Sequence, residues 1–199
     1  LAKLTYNKGT ASTGTLIGGD YLTILTTDTN GKYDSDGFPI NVPITATVSE
    51  SGLAHSGTDV PGTGSNEASD NEKFTTIIDL PLGRMVADIA PTATASGYGI
   101  YSITNGVLTY TLTKANTTGA SVTDTFSYTV TDLNGTSNSV VMPVTINILD
   151  DGPIAKSDTN TANNGGTAIT GNVLTDGDDD LFGADGPKSN GAVVGVGTT

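Results

Sequence analysis

TFSYTVTDLNGTSNSVVMPVTINILDDGP, residues 125–153, carries the clearest structural signal in the chain. Phe126, Tyr128 and Val130 alternate with polar residues, and Val140, Met142, Val144, Ile146 and Ile148 alternate again. A period of two presents one apolar face, so each run predicts a half-buried β-strand. Between them, Asp132-Leu133-Asn134-Gly135 offers side-chain oxygens and a φ-permissive glycine, which suits a plain hairpin turn or a calcium-binding loop. The chain leaves the second strand through Asp150-Asp151-Gly152-Pro153, a module boundary bearing two carboxylates.

Working outward, composition narrows the class. The 199 residues fit one large all-β domain or one to two sandwich modules of about 100 residues each. Only 35% of the residues are hydrophobic, yet 26 glycines and repeated alternating runs favour thin β-sandwiches over disorder. With 21 acidic residues against 8 basic ones, the net charge of -13 repels nucleic acid and anionic membranes and attracts cations. There is no cysteine, which excludes disulfides and thiolate metal sites, and a small extracellular module without disulfides commonly needs another staple such as calcium. No apolar run approaches the ~20 residues that span a bilayer, so no membrane insertion is expected. The pattern starts and stops in mid-course, which leads to the expectation of a piece of a longer protein.

Residues 1–27 read as two or three strands, LAKLTYN, GTLIG and DYLTILTT. The loop that follows holds Asp28, Asn30, Asp34 and Asp36, whose oxygens converge on a hard cation if the chain curls at Gly31 and Gly37; the alternative is a solvated hairpin loop. Its spacing is not that of an EF-hand. Val42, Ile44, Ala46 and Val48 alternate in the next strand, and Pro39 and Pro43 put it at a sheet edge or bend. Residues 51–71 form a polar stretch long enough to be either a ligand-contacting loop or mobile surface. A strand is expected over residues 73–80. Leu82, Met85, Val86 and Ile89 then fall at i, i+3, i+4 and i+7 behind Pro81, predicting one short helix over 81–90. Strands 98–104 and 107–113 flank Asn105-Gly106, a strong hairpin signal. Beyond residue 154 short strands are expected near 167–174 and 192–196, around an acidic loop 176–185; they begin a second module or pack back on the first.

Val48-Ser49-Glu50-Ser51-Gly52-Leu53 resembles the opening of the cadherin-like or Ig-like repeats of giant type I-secreted bacterial adhesins, the RTX adhesins. Residues 126–153 resemble the closing strands of such a repeat, and Gly171 to Leu174, Asp176 to Asp180 and Phe182 to Pro187 are similar to the start of the next. The resemblance implies an all-β, calcium-binding β-sandwich (Ig-like or cadherin-like) divided at residue 150, with repeat-like closing strands over 107–150 and a following module or back-packing strands over 151–199. It implies an extracellular place on the bacterial cell surface and contact with neighbouring repeats of the same chain. Carried over residue by residue, Asp132, Asn134, Asp150 and Asp151 hold calcium near a module end, and Asp176, Asp178, Asp180 and Asp185 supply the next junction. The unmatched N-terminal part and the long loop further resemble the peptide-binding domains of these adhesins, which capture a peptide C-terminus with help from calcium. On that likeness Asp34 and Asp36, with Tyr33 beside them, contact the ligand.

The expectation is therefore a non-enzymatic, calcium-dependent adhesin module that binds a peptide or protein on another cell surface, in cell attachment or biofilm formation. The alternatives are a structural extender without a ligand of its own and, at lower weight, a carbohydrate-binding module. Enzyme chemistry finds little support. His55 is the only histidine and sits among Gly and Ser, one His without Cys disfavours zinc, and the absence of Trp removes the usual sugar platform.

Overall fold

The computed structural model describes residues 20–40, 43–78, 84–86, 94–132, 140–161, 165–166, 168–189 and 191–193. The first two expected strands, the turn residue Asn134 and residues 194–196 lie outside these. The chain is almost all β. A hairpin of β1 (Asp20–Thr27) and β2 (Tyr33–Ile40) precedes two four-stranded sheets. The first sheet has the order β3 (Ile44–Ser49), β10 (Val140–Leu149), β9 (Val122–Asp132), β5 (Arg84–Val86). The second runs β4 (Lys73–Ile77), β8 (Val107–Leu112), β7 (Gly99–Thr104), β6 (Thr94–Ala95).

The alternation seen in the sequence becomes the core. Tyr128 and Val130 of β9, with Met142, Val144, Ile146 and Ile148 of β10, are all at most 1% exposed. They form one cluster with Ile103, Leu108, Tyr110 and Leu112 from the other sheet. Phe126 stacks on Tyr101 with ring centroids 3.9 Å apart. Burying each such side chain is worth roughly 1.5–3 kcal/mol. The Asn105-Gly106 hairpin forms as expected between β7 and β8, with φ of 51° and 76°, the left-handed pair that a two-residue turn of this hand requires.

One pairing could not be read from local pattern. β3 and β10 are parallel neighbours separated by a hundred positions, in register from Ile44↔Val144 to Ser49↔Leu149. The next residues, Glu50 and Asp150, therefore leave the sheet side by side. Both also keep the core-facing parity of their strands (44, 46, 48, 50 and 144, 146, 148, 150), which aims them inward.

Two expectations need correction. The helix over residues 81–90 is not formed where the structure describes it: Arg84–Val86 is strand β5, paired with β9 through Arg84↔Asp132, Met85↔Thr131 and Val86↔Val130. Extending an existing sheet along β9 satisfies that backbone in ladder bonds, which overrides a weak local helical period. Nor do residues 168–174 and 192–193 form strands. Among the described residues beyond 150, the β contacts are the isolated bridges Ile154↔Leu181 and Thr63↔Gly183.

Candidate cation site

Residues 50–65 build one wall of the site. Ser49 caps a single 3-10 turn, Glu50–Gly52, its hydroxyl accepting from the Ser51 N–H. The loop beyond folds on itself: Gly64 N–H donates to Leu53 O at 2.7 Å and Asn66 N–H to Ser51 O at 2.8 Å. Leu53 and Val60 are buried beneath it. The polar stretch 51–71 is thus tied down by its own backbone. The segment 181–186 forms the facing wall. Gly62 N–H donates to Ala184 O at 2.9 Å, and Ala184 is fully buried. Gly183 has φ +73°, and a Cβ there would lie 2.0 Å from Asp151 O, so only glycine permits this approach.

Glu50, Asp150 and Asp185 meet between these walls. One carboxylate oxygen of each lies within 4.8 Å of the others. Glu50 is 0% exposed; its Oε1 accepts from Asn116 N–H at 2.6 Å, while its Oε2 has no hydrogen-bond partner. Asp150 Oδ1 and Asp185 Oδ1 are likewise buried and without hydrogen-bond partners. Burial pushes Glu50 up to about 7; the Asn116 N–H opposes this, and the charges of Asp185 and Asp150 add to it. Asp185 is also raised, first by burial and then by Asp150 and Asp151. No lysine, arginine or histidine forms an ion pair with the three among the described residues.

Three carboxylates facing one another, each with one buried oxygen that lacks a hydrogen-bond partner, fit a hard cation. Calcium binds oxygens at ~2.3–2.6 Å, so two ligands of one ion lie at most about 5 Å apart, and the observed spacing meets that limit. An all-oxygen donor set belongs to calcium, magnesium or manganese rather than zinc. The acidic triad can therefore hold a metal ion. Beside it opens a cavity of about 450 Å³, whose lining includes Asp150, Pro153, Ile154, Leu181, Phe182 and Asp185.

The other sequence-derived residues fall differently. Asp151 turns to Ser65, taking its N–H at 2.8 Å and its hydroxyl at 2.6 Å, and so anchors the loop. Asp28 closes its own turn, its Oδ1 accepting from Asn30 N–H and Lys32 N–H at 2.8 and 2.9 Å. The turn ends at Lys32, and Tyr33, Asp34 and Asp36 belong to β2 instead of a loop curling to Gly37. Asp132 ends β9. Asp176 accepts from Asn172 N–H and Asp180 from Lys156 N–H, both at 2.6 Å, and Asp178 is exposed. Asp158, which the sequence did not single out, lies near them and is raised by burial and by the charges of Asp180 and Asp176. His55 is exposed. Sequence reasoning named Asp150 and Asp185 but at two separate junctions, which the structure brings together, and it did not name Glu50, whose signal was its place on the inward parity of the Ile44, Ala46, Val48 series.

No family model matches the chain, and no curated protein matches it.

Proposed function

We propose that the chain is a non-enzymatic, calcium-dependent module of a secreted bacterial adhesin, with calcium held by Glu50, Asp150 and Asp185. The observation that carries this reading is the trio of converging carboxylates, each with one buried oxygen that lacks a hydrogen-bond partner and one of them on a fully buried side chain. Each comes from one of the three stretches that resemble RTX adhesin repeats: residues 48–53, 126–153 and 176–187. Calcium is favoured over magnesium because three carboxylates on separate segments tolerate its longer bonds and flexible geometry better than a strict octahedron. The ion neutralises mutual repulsion and fastens the segment after residue 150 to the sandwich.

The cavity beside the triad gives a peptide or protein ligand a place to seat, and this supports the binding module over the bare extender. Thermal melting with calcium and with EDTA tests the ion: a rise in Tm that Asp150→Asn removes is expected, and curves that coincide overturn the proposal. A library of peptides with free C-termini, titrated in calcium, tests the ligand. Saturable binding supports the binding module; its absence, with the Tm rise intact, leaves the extender.

A further inference from the structure

We infer that residues 181–186 are a cation-operated latch whose closure assembles the 450 Å³ cavity. This rests on the cation reading above and adds what the ion controls. Two of the three carboxylates, Glu50 and Asp150, stand at the ends of β3 and β10 and are fixed by the sheet. Only Asp185 rides on the facing segment, which has no strand of its own. Apart from Asp185, what ties it to the 61–63 loop among the described residues is the Gly62 N–H to Ala184 O bond and the Thr63↔Gly183 bridge, with the Gly186 backbone packed against Pro61. Against them stands the repulsion between Asp185 and Asp150 across a buried gap. A cation reverses the sign of that interaction, and Leu181, Phe182 and Asp185 then join Asp150, Pro153 and Ile154 in lining the cavity. With the ion gone, the segment remains tethered at the Ile154↔Leu181 bridge and swings off the Gly62 end, taking Phe182 and Asp185 with it. Cation and cavity occupant are then linked reciprocally, each raising the affinity of the other.

The Gly62 amide reports the latch directly, because its hydrogen bond crosses it. Its exchange rate is measured by NMR on the whole chain, with calcium at about 100 times its dissociation constant and with EDTA. If only the closed latch holds the ion, linkage sets the expected change at about 100-fold faster exchange in EDTA. Amides of the β9–β10 pair keep their rates, and the Phe182 ring signals shift. Equal Gly62 exchange in both conditions, in a protein whose Tm still rises with calcium, overturns the latch and leaves the cation site standing. If neither Tm nor exchange responds to calcium, the cation reading fails and the latch with it. Two variants sharpen the test. Asp185→Asn removes the repulsion and should keep Gly62 protected with or without calcium. Gly183→Ala places a methyl against Asp151 O and should leave Gly62 unprotected in both; protection there overturns the latch geometry.

Discussion

Asp124 and Glu50 are both carboxylates sunk in the sandwich, 4% and 0% exposed, yet their surroundings are opposite. Asp124 collects four donors: Ser96 Oγ at 2.7 Å, Gly97 N–H at 3.1 Å, Tyr98 N–H at 2.9 Å and the Tyr110 hydroxyl at 2.9 Å. Burial alone would raise its pKa, but these bonds outweigh it and hold Asp124 below the usual carboxylate range. Glu50 accepts from the Asn116 N–H, with the Asp151 amide also acting to lower its pKa, and it faces two further carboxylates. The first charge is completed by the protein itself. The second is not completed in this way, and that difference separates a carboxylate satisfied within the fold from one that can hold a cation.

The largest effect that tests this contrast is expected from Asp124→Ala. It strands the Tyr110 hydroxyl and the amides of Gly97 and Tyr98, and should cost on the order of 4 kcal/mol in urea unfolding while preserving the gain from calcium. If the calcium gain disappears too, the two regions are not independent.

The pH dependence of stability should run in opposite directions at the two carboxylates. Glu50 titrates near 7 when folded against 4.5 as the ordinary value. Between these values the native state binds more protons, so metal-free stability falls as pH rises, by on the order of 3 kcal/mol, and the loss is complete above 7. Asp124 has the reverse sign. Its lowered pKa stabilises the fold above the ordinary value of 3.8, and that contribution is lost as pH falls through the folded-state pKa. Urea midpoints in EDTA between pH 4.5 and 7.5 check the first limb; Glu50→Gln should flatten it and, by removing a buried charge, raise stability at pH 7. A metal-free stability that climbs with pH across this window would contradict the unsatisfied state of Glu50.

Calcium at about 100 times its dissociation constant should add about 2.7 kcal/mol. Glu50→Gln, Asp150→Asn and Asp185→Asn should each abolish most of that gain. The smallest effect is expected from Asp28→Ala. An exposed turn carboxylate should cost about 1 kcal/mol or less and leave the calcium response untouched. Loss of the calcium response in this variant would move the ion from the triad to the β1–β2 turn.

Much of the scaffold was legible because it is written in local patterns. The alternation of Phe126 to Val130 and of Val140 to Ile148 gave β9 and β10, and Asn105-Gly106 gave the turn between β7 and β8. Met85 and Val86 misled because four apolar residues at helical spacing carry less energy than a free edge on β9. Where described, the strand expected near 167–174 is not formed for a related reason: Val173 is 61% exposed and Ile169 46%, and no sheet among the described residues buries either one. For the site, carboxylate density pointed to Asp150 and Asp185 but equally to Asp151, whose oxygens go to Ser65. Density cannot tell a carboxylate with donors from one without. Glu50 stayed hidden because its partner strand lies a hundred residues away, and no local period encodes a parallel pairing of that span.

That parallel pairing also fixes how the molecule takes a mechanical load. Tension applied between residue 43 and residue 150 draws β3 and β10 past each other along their length, so the ladder from Ile44↔Val144 to Ser49↔Leu149 is strained in shear, all rungs together instead of one after another. The same pull passes through Asp150. A cation bound there would ride at the point where the force enters the sheet.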